Sequence, residues 1–149
     1  MHMKQNITIE NRKARYDYFV EDTLTCGIVL TGDEVKSIKD GRMNINQAYI
    51  TIDNGELILK NAHISKWDKA DKTSSKQEET RDRVLLARKV EIRKLAYESS
   101  KERMTLIPLR VFLNESGLLK IDVGLCKGKK TYDKRETIKQ RDISREMER

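Results

Sequence analysis

The chain has 149 residues, of which 37% are charged and 37% hydrophobic, and its formal net charge is +7. This length suits one domain with a modest core and is short for two. No apolar stretch approaches the ~20 residues needed to cross a bilayer, and the N-terminus lacks the apolar centre of a signal peptide. We therefore expect a cytoplasmic protein whose basic surplus favours a nucleic-acid partner over a membrane.

The first elements predicted along the chain are two strands and a capped helix. The strands cover residues 16–21, where aromatic and polar residues alternate, and residues 26–30, which form an apolar run. Thr31 is followed three residues later by Glu34, which is the capping-box pattern. Gly41 stands where such a helix would end. The sequence therefore predicts a short helix between Thr31 and Gly41.

Two hairpins and a second helix follow. Asn-Gly between the β-rich runs 47–53 and 56–60 is the strongest hairpin signal in the chain, and strands 105–113 and 118–126 flank a second turn. The polar segment 66–83 has no period, so we expect an exposed, mobile loop. Residues 88–103 have the spacing of an amphipathic helix. Pro108 is expected at an edge, a bulge or a strand irregularity.

Six short strands and two helices, with no βαβ alternation, predict a mainly β protein. The expected fold is a small antiparallel barrel of the oligonucleotide-binding (OB) type with flanking short helices. Cys26 and Cys126 lie in apolar runs without metal-ligand spacing, so we expect buried, reduced thiols.

A basic arm, residues 127–149, follows a body formed by residues 1–126. The arm has nine basic and five acidic residues and too few apolar ones to sustain a fold alone. Asp133 and Glu136 have the spacing of a helix cap and its partner. On such a helix Lys134, Arg141 and Arg145 would share one face. We expect an arm that is disordered when free and helical on a polyanion such as RNA, although an ordinary charged terminus also fits this pattern.

The sequence has few groups that could form an active site. Nucleophile elbows, phosphate-binding glycine loops and histidine or paired-cysteine metal motifs do not occur in it. Asp33 and Glu34 are explained by helix capping, and Asp122, which alternates with apolar neighbours, is expected to point to solvent. We predict a non-enzymatic protein without metal or cofactor. The alternative is a metal-dependent nuclease that uses these three acids.

Several motifs resemble those of the small protein B family of SsrA-binding proteins. They are Asn11–Arg15, Gly27–Lys39, Asn61–Ile64, Leu106–Leu109 and the tail segment 128–139, Gly-Lys-Lys-Thr-Tyr-Asp-Lys-Arg-Glu-Thr-Ile-Lys. The motifs occur in the family's order and at its separations, nearly from end to end.

The resemblance implies an OB-type barrel that acts as a monomer and binds the tRNA-like part of transfer-messenger RNA. It also implies delivery to ribosomes stalled on messages without a stop codon, with the tail entering the message channel near the decoding centre. The implied RNA-binding residues are Asn11, Arg12, Lys13, Arg15, Gly27, Lys36, Arg81 and Arg83. The implied ribosome-engaging residues are Lys127, Lys129, Lys130, Tyr132, Asp133, Lys134, Arg135, Lys139, Arg141 and Arg145. A different ribosome-associated barrel, similar to an initiation factor, is the alternative among binding proteins.

Two segments depart from the family pattern. Members commonly have Glu-Ala-Gly where this chain has Thr25-Cys26-Gly27, and that glutamate is associated with RNA recognition. Members also have a proline and a lysine where this chain has Glu79 and Val84.

Overall fold

A computed structural model describes residues 7–66, 79–101 and 103–129 and shows a mainly β protein. The strands are β1 (Thr8–Glu10), β2 (Tyr18–Ile28), β3 (Met43–Asn44), β4 (Tyr49–Asp53), β5 (Glu56–Lys60), β6 (His63–Ile64), β7 (Arg83–Leu86), β8 (Met104–Leu113) and β9 (Leu119–Gly128). The helices are α1 (Ala14–Asp17), α2 (Gly32–Lys39) and α3 (Lys89–Ser99). None of the helices in these ranges is long and apolar enough to cross a membrane.

Six antiparallel strands close the barrel. Their order is β8-β4-β5-β7-β2-β9, and β9 pairs with β8 again to complete the ring. Strand β1 adds to the free edge of β8, and β3 pairs with β6 in a separate two-stranded sheet. This architecture confirms the predicted OB-like, mainly β fold.

Both predicted hairpins and both predicted helices are present. Helix α2 has the full capping box, because the Thr31 Oγ1 accepts the Glu34 N–H at 3.2 Å and the Glu34 Oε1 accepts the Thr31 N–H at 2.9 Å. Gly41 follows the helix with a φ of +76°, which glycine adopts without strain. Local sequence signals were therefore sufficient for these elements.

The strand prediction was wrong between residues 16 and 30. The two expected strands are one continuous strand, β2, which pairs with β9 from Tyr18 to Gly27. A register shift between Val20 and Asp22 absorbs the break in the polar and apolar alternation that suggested two strands. Strands β1, β3, β6 and β7 were missed because each has four residues or fewer.

The loop predicted at residues 66–83 extends too far along the chain. Residues 67–78 and Trp67 lie outside the described part of the chain, but Arg83 begins β7 and is entirely buried. Its exposure was therefore predicted wrongly.

The core lies inside the barrel and is built from the inward-facing residues of its strands. Its most buried members include Leu57, Leu59, Leu85, Val111, Ile121 and Val123. Cys26 and Cys126 are buried thiols, as predicted, and burial raises the pKa of each to about 11.

Candidate nucleic-acid interface

Alternate residues of β7, β2, β9, β8 and β1 point away from the core and form an outer face. One row across it contains Thr25, Asp122, Arg110 and Glu10, which stand opposite one another in register. The neighbouring row contains Leu86, Gly27, Lys120, Phe112 and Thr8. The residues between these rows, among them Cys26, Ile121 and Val111, are buried in the barrel.

Arg110 is held at the centre of the outer face by two contacts. Its Nε donates to the Asp122 Oδ2 at 2.6 Å, and its guanidinium lies 4.1 Å from the centroid of the Phe112 ring. The other carboxylate oxygen of Asp122 accepts the Thr25 hydroxyl at 2.6 Å. Because it is covered by these partners, Asp122 is only 8% exposed, and the expectation that it points to solvent was wrong.

Thr25 is paired with an acidic residue of the neighbouring strand. Thr25 stands directly opposite Asp122, so the carboxylate nearest to position 25 comes from the neighbouring strand. The chain therefore has a hydrogen-bonded threonine–aspartate pair at the position where the resemblance implies a glutamate.

Arg12 and Arg15 border the outer face from the side of α1. Together with Arg110 they line an open cleft of about 660 Å³. Both arginines are exposed. Three arginines from two separate segments of the chain therefore line one cleft, against two acidic residues, Glu10 and Asp122. The surplus of arginine suits phosphate groups.

Asn11 fixes the basic segment to the barrel. Its N–H donates to the Leu109 carbonyl at 2.9 Å and its side-chain amide donates to the Pro108 carbonyl at 2.9 Å. These carbonyls lie at a bulge, where the register of β8 on β9 shifts between Pro108 and Arg110, as expected for this proline. Asn11 is 6% exposed, so it braces its neighbours rather than offering a surface contact.

Gly124 lies beneath the same bulge. A Cβ built on this glycine would stand 2.9 Å from the Leu109 side chain, closer than ordinary van der Waals contact allows. The absence of a side chain at position 124 therefore lets the bulge sit against β9.

Lys13 is not among the residues that line this cleft. It lines a separate cavity of about 270 Å³, whose wall also includes Asn46 and Tyr49. The four predicted RNA-binding residues of the first motif are thus divided between a buried brace, two cleft arginines and a lysine in another cavity.

Gly27 lies at the end of the outer face that is nearest to α2. A Cβ there would meet the Leu86 Cβ at 3.3 Å, so the glycine lets β2 and the half-exposed Leu86 approach closely. Gly27 and Leu86 share a cavity of about 280 Å³ with Val35 of α2. Lys36, the next residue of that helix, is exposed. Both predicted residues therefore belong to this end of the barrel.

Arg83 and Arg81 bind one carboxylate beneath α2. The Arg83 Nε donates to the Glu34 Oε2 at 2.8 Å, and its other nitrogens donate to the carbonyls of Ala62, Arg81 and Glu79 at 2.8–3.1 Å. Arg81 binds both oxygens of Glu34. Because the Arg83 side chain has no exposed area, its guanidinium is not available to RNA in this structure.

The charge of Glu34 is stabilised by these bonds. Burial alone would raise the pKa of this carboxyl, but hydrogen bonds from Arg81, the Thr31 N–H and Arg83 outweigh burial and lower it below its ordinary value. The carboxylate therefore orders the start of α2 while its oxygens are occupied by arginines.

The base of the arm is attached to α1. Lys127 and Gly128 belong to β9, so the sheet continues two residues past the predicted boundary at 126. The Lys129 N–H donates to the Asp17 carbonyl at 2.9 Å, and its ammonium donates to the Arg15 carbonyl at 2.8 Å and lies 4.8 Å from the Phe19 ring centroid. The predicted tail residues from Lys130 to Arg145 lie outside the described part of the chain.

Sequence reasoning missed the residues at the centre of the outer face, including Arg110, Phe112 and Lys120. The alternation within residues 105–113 and 118–126 indicates that these side chains share an orientation. Only the pairing register shows that Arg110 meets Asp122, because the bulge at Pro108 changes which residues are opposite.

Comparison with known proteins identifies the family. The family model described as SmpB protein matches residues 8–149. An SsrA-binding protein of Moorella thermoacetica is 45% identical over 149 residues, covering 100% of this chain and 95% of that protein. One from Acholeplasma laidlawii is 49% identical over 142 residues, covering 95% of this chain and 93% of that protein.

A solved structure described as "tmRNA-SmpB: a journey to the center of the bacterial ribosome" contains a similar chain. It is 35% identical with a TM-score of 0.70, and the match covers 89% of this chain and 94% of that one. By sequence along its whole length and by fold, the chain belongs to the SmpB family.

Proposed function

We propose that this protein binds transfer-messenger RNA and delivers it to stalled ribosomes for trans-translation in the cytoplasm. The observation that carries the proposal is the match to SsrA-binding proteins over nearly the whole length of both chains. The similar chain from a tmRNA-SmpB structure supports the same function.

The outer face supports RNA binding by the body. Arg12 and Arg15 border it at one end, Lys120 lies within it, and Lys36 is exposed on α2 at the other end. Basic side chains at these positions would neutralise phosphates along a bound RNA strand or stem. We therefore assign the transfer-messenger RNA contact to this face.

Two of the three acidic residues of the alternative nuclease are already engaged, and the third, Asp33, is exposed. Glu34 binds two arginines, and the carboxylate oxygens of Asp122 accept hydrogen bonds from Arg110 and Thr25. Within residues 7–66, 79–101 and 103–129, no group of three or more histidine, cysteine or acidic side chains could hold a metal ion. These contacts favour an RNA-binding adaptor over a hydrolytic enzyme.

We assign ribosome engagement to the basic arm. Lys127 and Lys129 form its base, and the resemblance implicates Tyr132 and the Asp133-Lys134-Arg135 segment within it. The described base of the arm lies beside α1, where Lys129 binds the carbonyls of Asp17 and Arg15. We assign the transfer-messenger RNA contact to the body and the ribosome contact to the arm, so that one RNA is carried while another is engaged.

Replacing Asp133, Lys134 and Arg135 with alanine tests this division. The expected result is a dissociation constant for transfer-messenger RNA within about twofold of the original protein, together with loss of peptide tagging on stalled ribosomes. A matched variant replaces Arg93, Glu98 and Lys101, which carry the same charges on and just after α3.

Two outcomes would contradict the assignment. Equal loss of RNA binding and tagging would make the arm a general phosphate anchor, and normal tagging would remove its role on the ribosome. The α3 variant should retain both activities.

A further inference from the structure

We propose that Arg110 is an RNA-binding residue, positioned by Asp122 and Phe112, that contacts a phosphodiester group in the cleft bordered by Arg12 and Arg15. The inference rests on the proposed function, because it assumes that RNA occupies the outer face. It adds a contact that the motifs of the sequence do not contain.

The guanidinium of Arg110 is held in place by contacts that leave some of its hydrogen-bond donors free. The Nε bond to Asp122 fixes one edge, and the Phe112 ring, 4.1 Å from the guanidinium carbon, supports one face. Within the part of the chain that the structure describes, no other acceptor binds this guanidinium, and the side chain is 46% exposed. The two Nη groups thus remain available to solvent and to a ligand.

Asp122 does not compete with phosphate for this arginine. Its Oδ1 accepts the Thr25 hydroxyl, its Oδ2 accepts the Arg110 Nε, and its side chain is only 11% exposed. A carboxylate in this position reduces the freedom of the arginine while the planar Nη edge keeps the geometry that matches two phosphate oxygens. The rotamer entropy lost on binding is correspondingly smaller.

The cleft around Arg110 suits a phosphate group of a nucleic-acid backbone. Arg12 and Arg15 line the same cleft, so three arginines face two acids, Glu10 and Asp122, and the acid at position 122 is already paired. The volume of about 660 Å³ lies within the usual range for ligand sites. A phosphodiester of the RNA backbone therefore fits the charge, the space and the partner that the proposed function requires.

The test compares two double variants that keep hydrogen-bonding side chains in place. R110Q/D122N removes the arginine without leaving a buried, unpaired carboxylate. R88Q/E91Q is the matched control, because the Arg88 Nε also binds a carboxylate, at 3.1 Å, but on the exposed start of α3. Filter binding to the transcribed tRNA-like domain of transfer-messenger RNA is measured over a range of salt concentrations, and urea denaturation shows that each variant is folded.

R110Q/D122N is expected to weaken binding about tenfold and to reduce the slope of log Kd against log salt by about one, because one phosphate contact is lost. The control is expected to stay within about twofold. Unchanged affinity in folded R110Q/D122N would overturn the proposal, and weaker binding with an unchanged salt slope would overturn the phosphate contact. If the original protein itself fails to prefer this RNA over an unrelated one, the proposed function fails instead.

Discussion

Replacing Arg83 with methionine should destabilise the body strongly. The substitution keeps most of the side-chain volume but removes the Arg83 donors that bind Glu34 and the carbonyls of Ala62, Arg81 and Glu79. Removing one partner of a buried ion pair typically costs about 3–5 kcal/mol, because the other charge stays buried. Since Arg81 still binds Glu34, we expect the lower end of that range.

Urea denaturation followed by circular dichroism gives the magnitude directly. With an m value of about 2 kcal/mol per molar urea, a loss of about 3 kcal/mol lowers the midpoint by about 1.5 M. The matched control is Arg81→Met, which removes an arginine from the same carboxylate. Its side chain is 36% exposed, so the expected loss is below about 1 kcal/mol, or less than about 0.5 M.

The reasoning fails if the two variants have equal midpoints. That result would mean that burial does not distinguish the two arginines, and Arg83 would return to the list of candidate RNA contacts. A large loss for Arg83→Met alone identifies it as the brace that holds β7 against the start of α2.

Three further predictions concern packing, titration and thiol chemistry. Gly124→Ala should lower the free energy of unfolding by about 1–3 kcal/mol, measured by urea denaturation, because its Cβ would press against Leu109. In a Leu109→Ala background the same substitution should cost less, and an equal cost would contradict the contact. The pKa of Glu34 is lower in the folded state, so its contribution is complete above the unfolded pKa and is lost as pH falls through the folded one. The difference in unfolding free energy between the original protein and Glu34→Gln should therefore be constant above about pH 5 and shrink below about pH 4, and a difference that grows on acidification would contradict the lowered pKa. With thiol pKa values of about 11, Cys26 and Cys126 should react with a thiol reagent at pH 8 far more slowly in the folded protein than in urea, and equal rates would show that they are not buried.

The sequence predicts elements whose signals are local. Asn54-Gly55 and the Thr31–Glu34 capping box lie within a few residues of the structure that they specify, and both hairpin and helix are present. Strand β2 is different, because only its pairing with β9 makes the polar stretch near Asp22 continue as a strand. The two-residue strands β3 and β6 likewise depend on each other and on little in their own sequence.

The candidate site shows the same limit. The motifs group Asn11 with Arg12 and Arg83 with Arg81 as candidate RNA contacts, but Asn11 and Arg83 are buried whereas Arg12 is exposed and Arg81 is partly exposed. Burial is decided by distant partners, such as the Pro108 carbonyl and Glu34, which no local pattern contains. Arg110 was missed for the complementary reason, because its value as a contact arises from Asp122 on the next strand.

The central claim is that the body selects transfer-messenger RNA. Its most direct test is the ratio of dissociation constants for the tRNA-like domain of that RNA and an unrelated structured RNA of equal length, measured by filter binding at one fixed salt concentration. Specific complexes typically exceed non-specific binding by a factor of at least about 10³, and phosphate contacts alone give no such preference. We predict a clear preference for the tRNA-like domain, and equal affinity for the two RNAs would contradict the claim.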